Sequence, residues 1–241
     1  MNGPPAPLPS NQSNARMVPE RLHLGCGRHY LDGYVNVDYP PSEHTVQAGL
    51  TADLYCDLTA MRRSPLSASE IRLHHVFEHF PRTTALALLC RWREWLVPGG
   101  TLRIETPDVR ASAWLLLSPF VDYSGKQEVI RHLFGSHESH WAVHWDGWYG
   151  KRFRRTLEAL GFTRIRLRKT HWGHLRNIEV TADRDERDLG YDALRSAVRE
   201  LLALSMVHTP RRWIVRPPSI SPSELELLEV WMEAWERSYA G

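Results

Sequence analysis

The distance between two short apolar runs constrains this 241-residue chain more than any other feature. Leu22-His23-Leu24 breaks into Gly25-Cys26-Gly27, and a second run, Tyr34-Val35-Asn36-Val37, ends on Asp38. Read as strands, the two runs leave only Arg28 to Gly33 between them, too short for the full crossover helix that joins parallel neighbours. The glycines let the backbone turn sharply after a buried strand and let a ligand approach the main chain where a Cβ would intrude. An acid at the carboxyl end of the next strand is placed to take the hydroxyls of a ribose. We expect that acid to face the surface and to carry little packing.

Composition narrows the choice of partners. Apolar residues make up 42% of the chain and charged residues 24%, as in a globular protein with a sizeable core, and a formal charge of +2 is too small to argue for nucleic acid. Three cysteines, Cys26, Cys56 and Cys90, are widely spaced and match no zinc pattern, so reduced thiols in a cytoplasmic setting are expected. Residues 1–19 are rich in Pro, Asn and Ser without the apolar stretch of a signal peptide, and read as a disordered tail. No apolar run is long enough to span a bilayer.

Downstream, strand and helix signals alternate. Ala52 to Leu58 reads as a third strand ending at Asp57, which is a turn residue or, in company with the glycine pair, the acid that binds an adenine amino group. Ile71 to Phe77 is a fourth strand running into Glu78-His79. Arg82 to Leu96 is a helix with Leu86, Leu89, Cys90, Trp92 and Leu96 along one stripe, stopped by Pro98-Gly99-Gly100. Thr101 to Glu105 follows as a fifth strand. This alternation implies a parallel sheet covered on both faces. Helices are predicted over 111–117, 127–134 and 151–160, the last capped by Gly161, and strands over 164–168 and 177–181. Beyond residue 183 come an amphipathic helix over 192–206 and, after the capping box Ser221-Pro222-Ser223-Glu224, a helix carrying Leu225, Leu228, Met232, Trp235 and Tyr239. Its apolar face packs on its own domain or joins two copies as a homodimer.

The ordered series LHLGCG, GYVNVD, CDL, HHVFEHF and LCRWREWLVPGGTLRIETPD resembles the class I S-adenosylmethionine-dependent methyltransferases. More narrowly, it is similar to the short members with a compressed first loop that accompany glycan and secondary-metabolite biosynthesis. The resemblance covers residues 21–183. It implies a doubly wound, Rossmann-like α/β sheet, mostly parallel with one antiparallel edge strand, in a domain of residues 20–183, with 184–241 as a C-terminal helical extension. Residues 109–150 would form the variable segment over the acceptor. The implied cofactor is S-adenosylmethionine, with Gly25, Cys26 and Gly27 along its methionine and ribose part, Asp38 on the ribose hydroxyls, and Asp57 and Leu58 at the adenine. Glu78 and His79 would face the methionine end and the reacting methyl. The implied reaction moves that methyl to a small-molecule or glycan acceptor, at a hydroxyl oxygen.

Methyl transfer from a sulfonium is an in-line displacement, so the protein supplies alignment, a dry pocket and, for a hydroxyl, a base. His79 is the first candidate base, because an imidazole titrates near working pH, and His140, His144 and Asp108 stand in reserve. Trp141, Trp145 and Trp148 divide between an aromatic wall for the acceptor and packing of the segment itself. His137, His140 and His144 have metal-like spacing, but no second ligand cluster accompanies them, and no metal site is expected. Lys151 to Arg155 reads as a solvated basic face rather than a nucleic-acid surface. Two other functions compete. A nicotinamide oxidoreductase would want a small residue where Tyr30 stands and an acid further along than Asp38. A catalytically silent binding or scaffold protein would keep the fold without turnover, although the glycine pair and both acids are retained.

Overall fold

The computed structural model describes residues 18–46, 49–207 and 220–240. Most of the expected N-terminal tail, residues 1–17, lies outside the described residues. Strands β1 (Glu20–Leu24), β2 (Val35–Asp38), β3 (Leu54–Tyr55) and β4 (Ala68–His74) lead into helix α1 (Arg82–Trp95) and strand β5 (Leu96–Pro107). Then follow α2 (Val109–Leu117), α3 (Tyr123–Phe134), α4 (Gly150–Ala159), β6 (Phe162–Trp172), β7 (Leu175–Arg184), α5 (Tyr191–Ala203) and α6 (Pro222–Ala240).

All seven strands form one sheet in the order β3-β2-β1-β4-β5-β7-β6. The first five pair in parallel, and β7 runs antiparallel to both β5 and β6. This is the mostly parallel α/β sheet expected. Its antiparallel strand sits one place in from the edge, because a turn through Gly173 (φ +57°) folds β7 back along β6. Strand order reverses between β1 and β4, and at such a switch point the diverging connections open a crevice beyond the carboxyl ends of the strands.

The short β1–β2 connection is held by one side chain instead of a helix. Asn36 is fully buried; its Oδ1 accepts from the Leu31 N–H (2.9 Å), and its Nδ2 donates to the carbonyls of Leu31 (3.0 Å) and Tyr34 (3.1 Å). The Asp53 carboxylate accepts from the Asn36 backbone N–H (2.7 Å), which ties the connection to the approach to β3.

Period-two alternation splits the sheet into two unlike faces. Leu22, Leu24, Ile71, Leu73, Leu102, Ile104, Val180 and Ala182 join one apolar core with Leu88, Leu89 and Trp92 of α1 and Phe153 and Leu157 of α4. Leu228, Met232 and Trp235 of α6 are buried in the same core, so α6 lays its apolar stripe on its own protomer. The intervening strand positions carry Arg21, Glu70, Arg103, Glu179, Arg168, Arg164 and Asp183, which pair as Arg21–Glu70, Arg103–Glu179–Arg168 and Arg164–Asp183. Helical cover on both faces was expected. Among the described residues the second face is polar and stays open over much of its width, because the β1–β2, β2–β3 and β3–β4 connections contain no α-helix to lay across it.

Candidate functional site

The glycine turn is shaped by its neighbours. Gly25 has φ +69°, and a Cβ there would stand 2.2 Å from Val76 Cγ2. The turn therefore lies flush against the segment that follows β4. The N–H groups of Gly25 and Cys26 both donate to the Val37 carbonyl (2.8 and 3.1 Å), so β1 and β2 end together. Cys26 is buried, its Sγ 3.8 Å from the Thr51 carbonyl, and burial followed by the charge of Asp38 pushes its thiol up to about 12.

Asp38 is not the surface acid expected from the sequence. It is only 6% exposed, and its carboxylate accepts from the backbone N–H groups of Gly27 (2.6 Å) and Tyr39 (2.7 Å), with His44 Nε2 3.2 Å away. Two of its roughly four lone-pair positions are taken by main-chain donors, and the imidazole crowds a third. Asp57 accepts from the Thr59 N–H (2.7 Å), which is its turn reading. Tyr39 lies close by, its hydroxyl pushed up to about 12 by burial and then by Asp57. Leu58 is buried in the core.

Phe77–His79 forms a single 3-10 turn after β4. Glu78 within it is buried; Oε1 accepts from His75 Nδ1 (3.1 Å), and Oε2 has no hydrogen-bond partner. Burial opposes the charge of this carboxylate, but the hydrogen bond and positive charge of His75 outweigh it and hold the pKa below the usual carboxylate range; His75 is raised in return. His79 Nδ1 donates to the Val143 carbonyl (3.2 Å), which leaves Nε2 as the ring nitrogen outside that bond. His144 meets His79 edge-on at 4.7 Å between ring centroids, and its Nδ1 is buried without a partner. Burial drives the His144 pKa down to about 4, so it is neutral near pH 7.

The variable segment closes this wall. Trp141 Nε1 donates to the Glu43 carbonyl (2.8 Å), and its ring lies 5.0 Å from His44 and 6.0 Å from His79. A continuous line of groups thus runs from Asp38 through His44, Trp141, His79 and His144 to Glu78. Asp146 fastens the segment from below, with both oxygens on Arg152 (2.6 and 2.7 Å) and one near Arg82 (3.5 Å). Of the other tryptophans, Trp148 is buried and stacked on Phe153, while Trp145 is 62% exposed.

Of the candidate catalytic residues, the structure brings His79 and His144 together and leaves two outside. His140 is exposed, with no bonded partner among the described residues. Asp108 caps α2 by accepting from the Arg110 and Ala111 N–H groups (3.0 and 3.1 Å). It lines a cavity of about 410 Å³ with Arg110, Trp114, Tyr149, Lys151 and Lys169, none of which belongs to the histidine wall. His137 donates from Nε2 to the Phe134 carbonyl (2.8 Å), and it forms no metal-like group with His140 and His144. Sequence reasoning missed His44 and His75. His75 was visible inside HHVFEHF, whereas nothing in the spacing of His44 marks it.

No family model matches the chain, and no curated protein matches it. Solved structures offer distant likenesses. A possible exported protein from Bordetella parapertussis matches at 18% identity and TM-score 0.44 over 70% of this chain, which spans 64% of that protein's length. A SAM-dependent methyltransferase from Methanosarcina mazei matches at 12% identity and TM-score 0.47 over 71% of this chain and 96% of that one. Human N-acetylserotonin methyltransferase, in complex with SAM, matches at 18% identity and TM-score 0.43 over 69% of this chain and 48% of that one.

Proposed function

We propose that this protein is an S-adenosylmethionine-dependent methyltransferase that methylates a hydroxyl oxygen of a small-molecule or glycan acceptor. The observation that carries this reading is the packing of Gly25 against Val76. It brings the glycine turn, with Asp38 beside it, against the segment that carries Glu78 and His79, at the switch point of the sheet.

Gly25, Cys26 and Gly27 would hold the cofactor's methionine and ribose part, Asp38 its ribose, and Asp57 with Leu58 its adenine. The buried, ionised Glu78 suits the positive end of that cofactor, because a charge in a dry site is favoured by a fixed opposite charge nearby. When bound, S-adenosylmethionine supplies an electrophilic methyl group. The chain's own part is to align the acceptor, exclude water and receive its proton, and His79 Nε2 is the group we assign to the last task. Exposed ring surface on Trp145, whose backbone N–H donates to the Glu78 carbonyl (2.9 Å), suits the apolar face of a sugar or a planar ring.

Three free cysteines are in keeping with a cytoplasmic setting, and no helix among the described residues is long and apolar enough to cross a membrane. Leu228, Met232 and Trp235 of the α6 stripe are covered within the protomer, while Leu225 at its start is 45% exposed; the methyl-transfer reading itself requires no second copy of the chain.

Calorimetric titration with S-adenosylhomocysteine, with NAD as control, tests the cofactor. Saturable binding of the first alone is expected; binding of NAD instead would overturn the assignment. A panel of sugars and phenols with methyl-labelled cofactor then tests turnover, and cofactor binding without any transfer would favour the silent scaffold.

A further inference from the structure

His74 Nε2 lies 3.5 Å from Glu105 Oε1, and His75 Nε2 lies 4.0 Å from the same oxygen. Both separations are too long for good hydrogen bonds. They are close to what a metal ion imposes, since two ligand atoms each ~2.1 Å from a tetrahedral ion stand ~3.4 Å apart. All three ligand atoms lie within 4.8 Å of one another. We infer that His74, His75 and Glu105 form a binding site for a divalent transition-metal ion, at the carboxyl ends of β4 and β5.

Hydrogen bonds hold two of the three ligands in place. Glu105 is buried, and its Oε1 accepts from Thr170 Oγ1 (2.9 Å) and Asn177 Nδ2 (3.4 Å). Asn177 is oriented in turn by His132, whose Nε2 donates to its Oδ1 (2.8 Å). His75 Nδ1 donates to Glu78, so when an ion displaces the Nε2 proton the ring keeps its proton on Nδ1 and presents Nε2, which already faces Glu105, as the ligand atom. A carboxylate behind a histidine is the usual orienting partner of a metal ligand. The backbone contributes as well: His75 adopts φ +54°, unusual for a residue with a side chain, and its N–H donates to the Glu105 carbonyl (2.9 Å). That conformation sets the His75 ring beside His74, at 4.8 Å between centroids.

Two imidazoles and one carboxylate suit zinc, cobalt or nickel, whereas magnesium and calcium prefer an all-oxygen shell. The His74 side chain is 40% exposed, so an ion has a path from solvent. His29, 6.3 Å from His74 between ring centroids, stands beside it on the β1–β2 connection. The second group of this kind, Glu78, His79 and His144, is the wall assigned above to methyl transfer.

The inference is independent of the methyl-transfer reading and is tested without it. Full-length protein stripped with chelator is titrated with Zn²⁺ by calorimetry and with Co²⁺ by visible absorption, with Mg²⁺ as control. One equivalent of Zn²⁺ or Co²⁺ is expected, with no saturable Mg²⁺ binding. His74→Ala, on a partly exposed side chain, should weaken Co²⁺ binding at least tenfold, as should Glu105→Gln, while His144→Ala leaves it within threefold. Thermal melts of each variant separate loss of the ion from loss of the fold. Absence of saturable binding, binding indifferent to His74→Ala, or equal loss in His144→Ala would each overturn the site. Binding of S-adenosylhomocysteine by the same samples reports separately on the cofactor assignment.

Discussion

His44 Nε2 stands 3.2 Å from Asp38 Oδ1 without an aligned hydrogen bond, and both nitrogens of the ring are buried with no partner. The imidazole thus covers the acid that the proposed cofactor needs. A ribose can reach Asp38 only if His44 turns aside, and its removal should ease binding. We expect His44→Ala to bind S-adenosylhomocysteine several-fold more tightly, with a faster association rate by stopped-flow. Tenfold weaker binding would instead make His44 a direct contact of the cofactor.

On the proposed reading Asp38 would have a double role. Its carboxylate satisfies the N–H groups of Gly27 and Tyr39, so truncation leaves two backbone donors unmatched in a nearly closed site. Each such group costs about 1–3 kcal/mol. Asp38→Ala should therefore abolish measurable cofactor binding and also lower stability by about 2–4 kcal/mol in urea unfolding, with Asp38→Asn between it and the wild type. A variant of unchanged stability would mean that the turn keeps its shape without the acid.

The burial of Asp38, where the sequence led us to expect a surface acid, shows where local pattern stops being informative. Gly25, the terminal position of Asp38, the stripe along α1 and the start of α6 were all legible, because each depends on neighbours within a few residues. Half of the α6 capping box forms: Ser221 Oγ accepts from the Glu224 N–H (3.3 Å), while the Glu224 carboxylate accepts from the Val207 N–H (2.8 Å). What could not be read depends on meetings across the fold. Asn36 looked like an ordinary strand residue, and only the return of residues 28–34 beneath it makes it the staple of the connection. The polar face of the sheet was similarly hidden, because Glu179 pairs with Arg103 and Arg168 from two different strands. Of the histidine wall, both His79 and His144 were named from the sequence, His79 from its place after β4 and His144 only as one reserve candidate among several; their meeting at 4.7 Å was not legible, because His144 arrives from a segment whose course no periodicity described.

The proposed base makes its own demand. His79→Gln keeps a side-chain amide facing the Val143 carbonyl but loses the titratable Nε2. Loss of a positioned general base typically costs about 10²–10⁴ in rate. A fall of about that size in kcat is expected, with affinity for S-adenosylhomocysteine within about threefold of wild type. Undiminished turnover would remove His79 from the mechanism.

Trp235 tests whether the last helix belongs to the core. It is fully buried and stacks on Tyr239 at 5.1 Å and on Tyr191 at 6.0 Å between ring centroids. Trp235→Ala should cost about 3–5 kcal/mol, the usual range for an aromatic deleted from a packed interior. A loss under about 1 kcal/mol by denaturant unfolding would show α6 to be an appendage that the domain does not need.

Asp146 links stability to pH. Burial alone would raise its pKa, but the bidentate contact with Arg152 and the charge of Arg82 outweigh burial, so the folded value lies below the unfolded one of about 3.9. An acid depressed in this way stabilises the fold fully above the unfolded pKa, and the contribution disappears as pH falls through the lower, folded value. Asp146→Asn leaves Arg152 and Arg82 without their anion and should cost about 3 kcal/mol at pH 7. As pH falls below about 4 the gap between wild type and variant should begin to narrow, because the unfolded wild-type chain binds the proton first, and it closes only once pH passes the lower, folded value. Melting temperatures of both proteins between pH 7 and pH 3 measure this directly. A gap that stays constant across that range would mean that Asp146 holds the segment by shape and hydrogen bonding, with no part played by its charge.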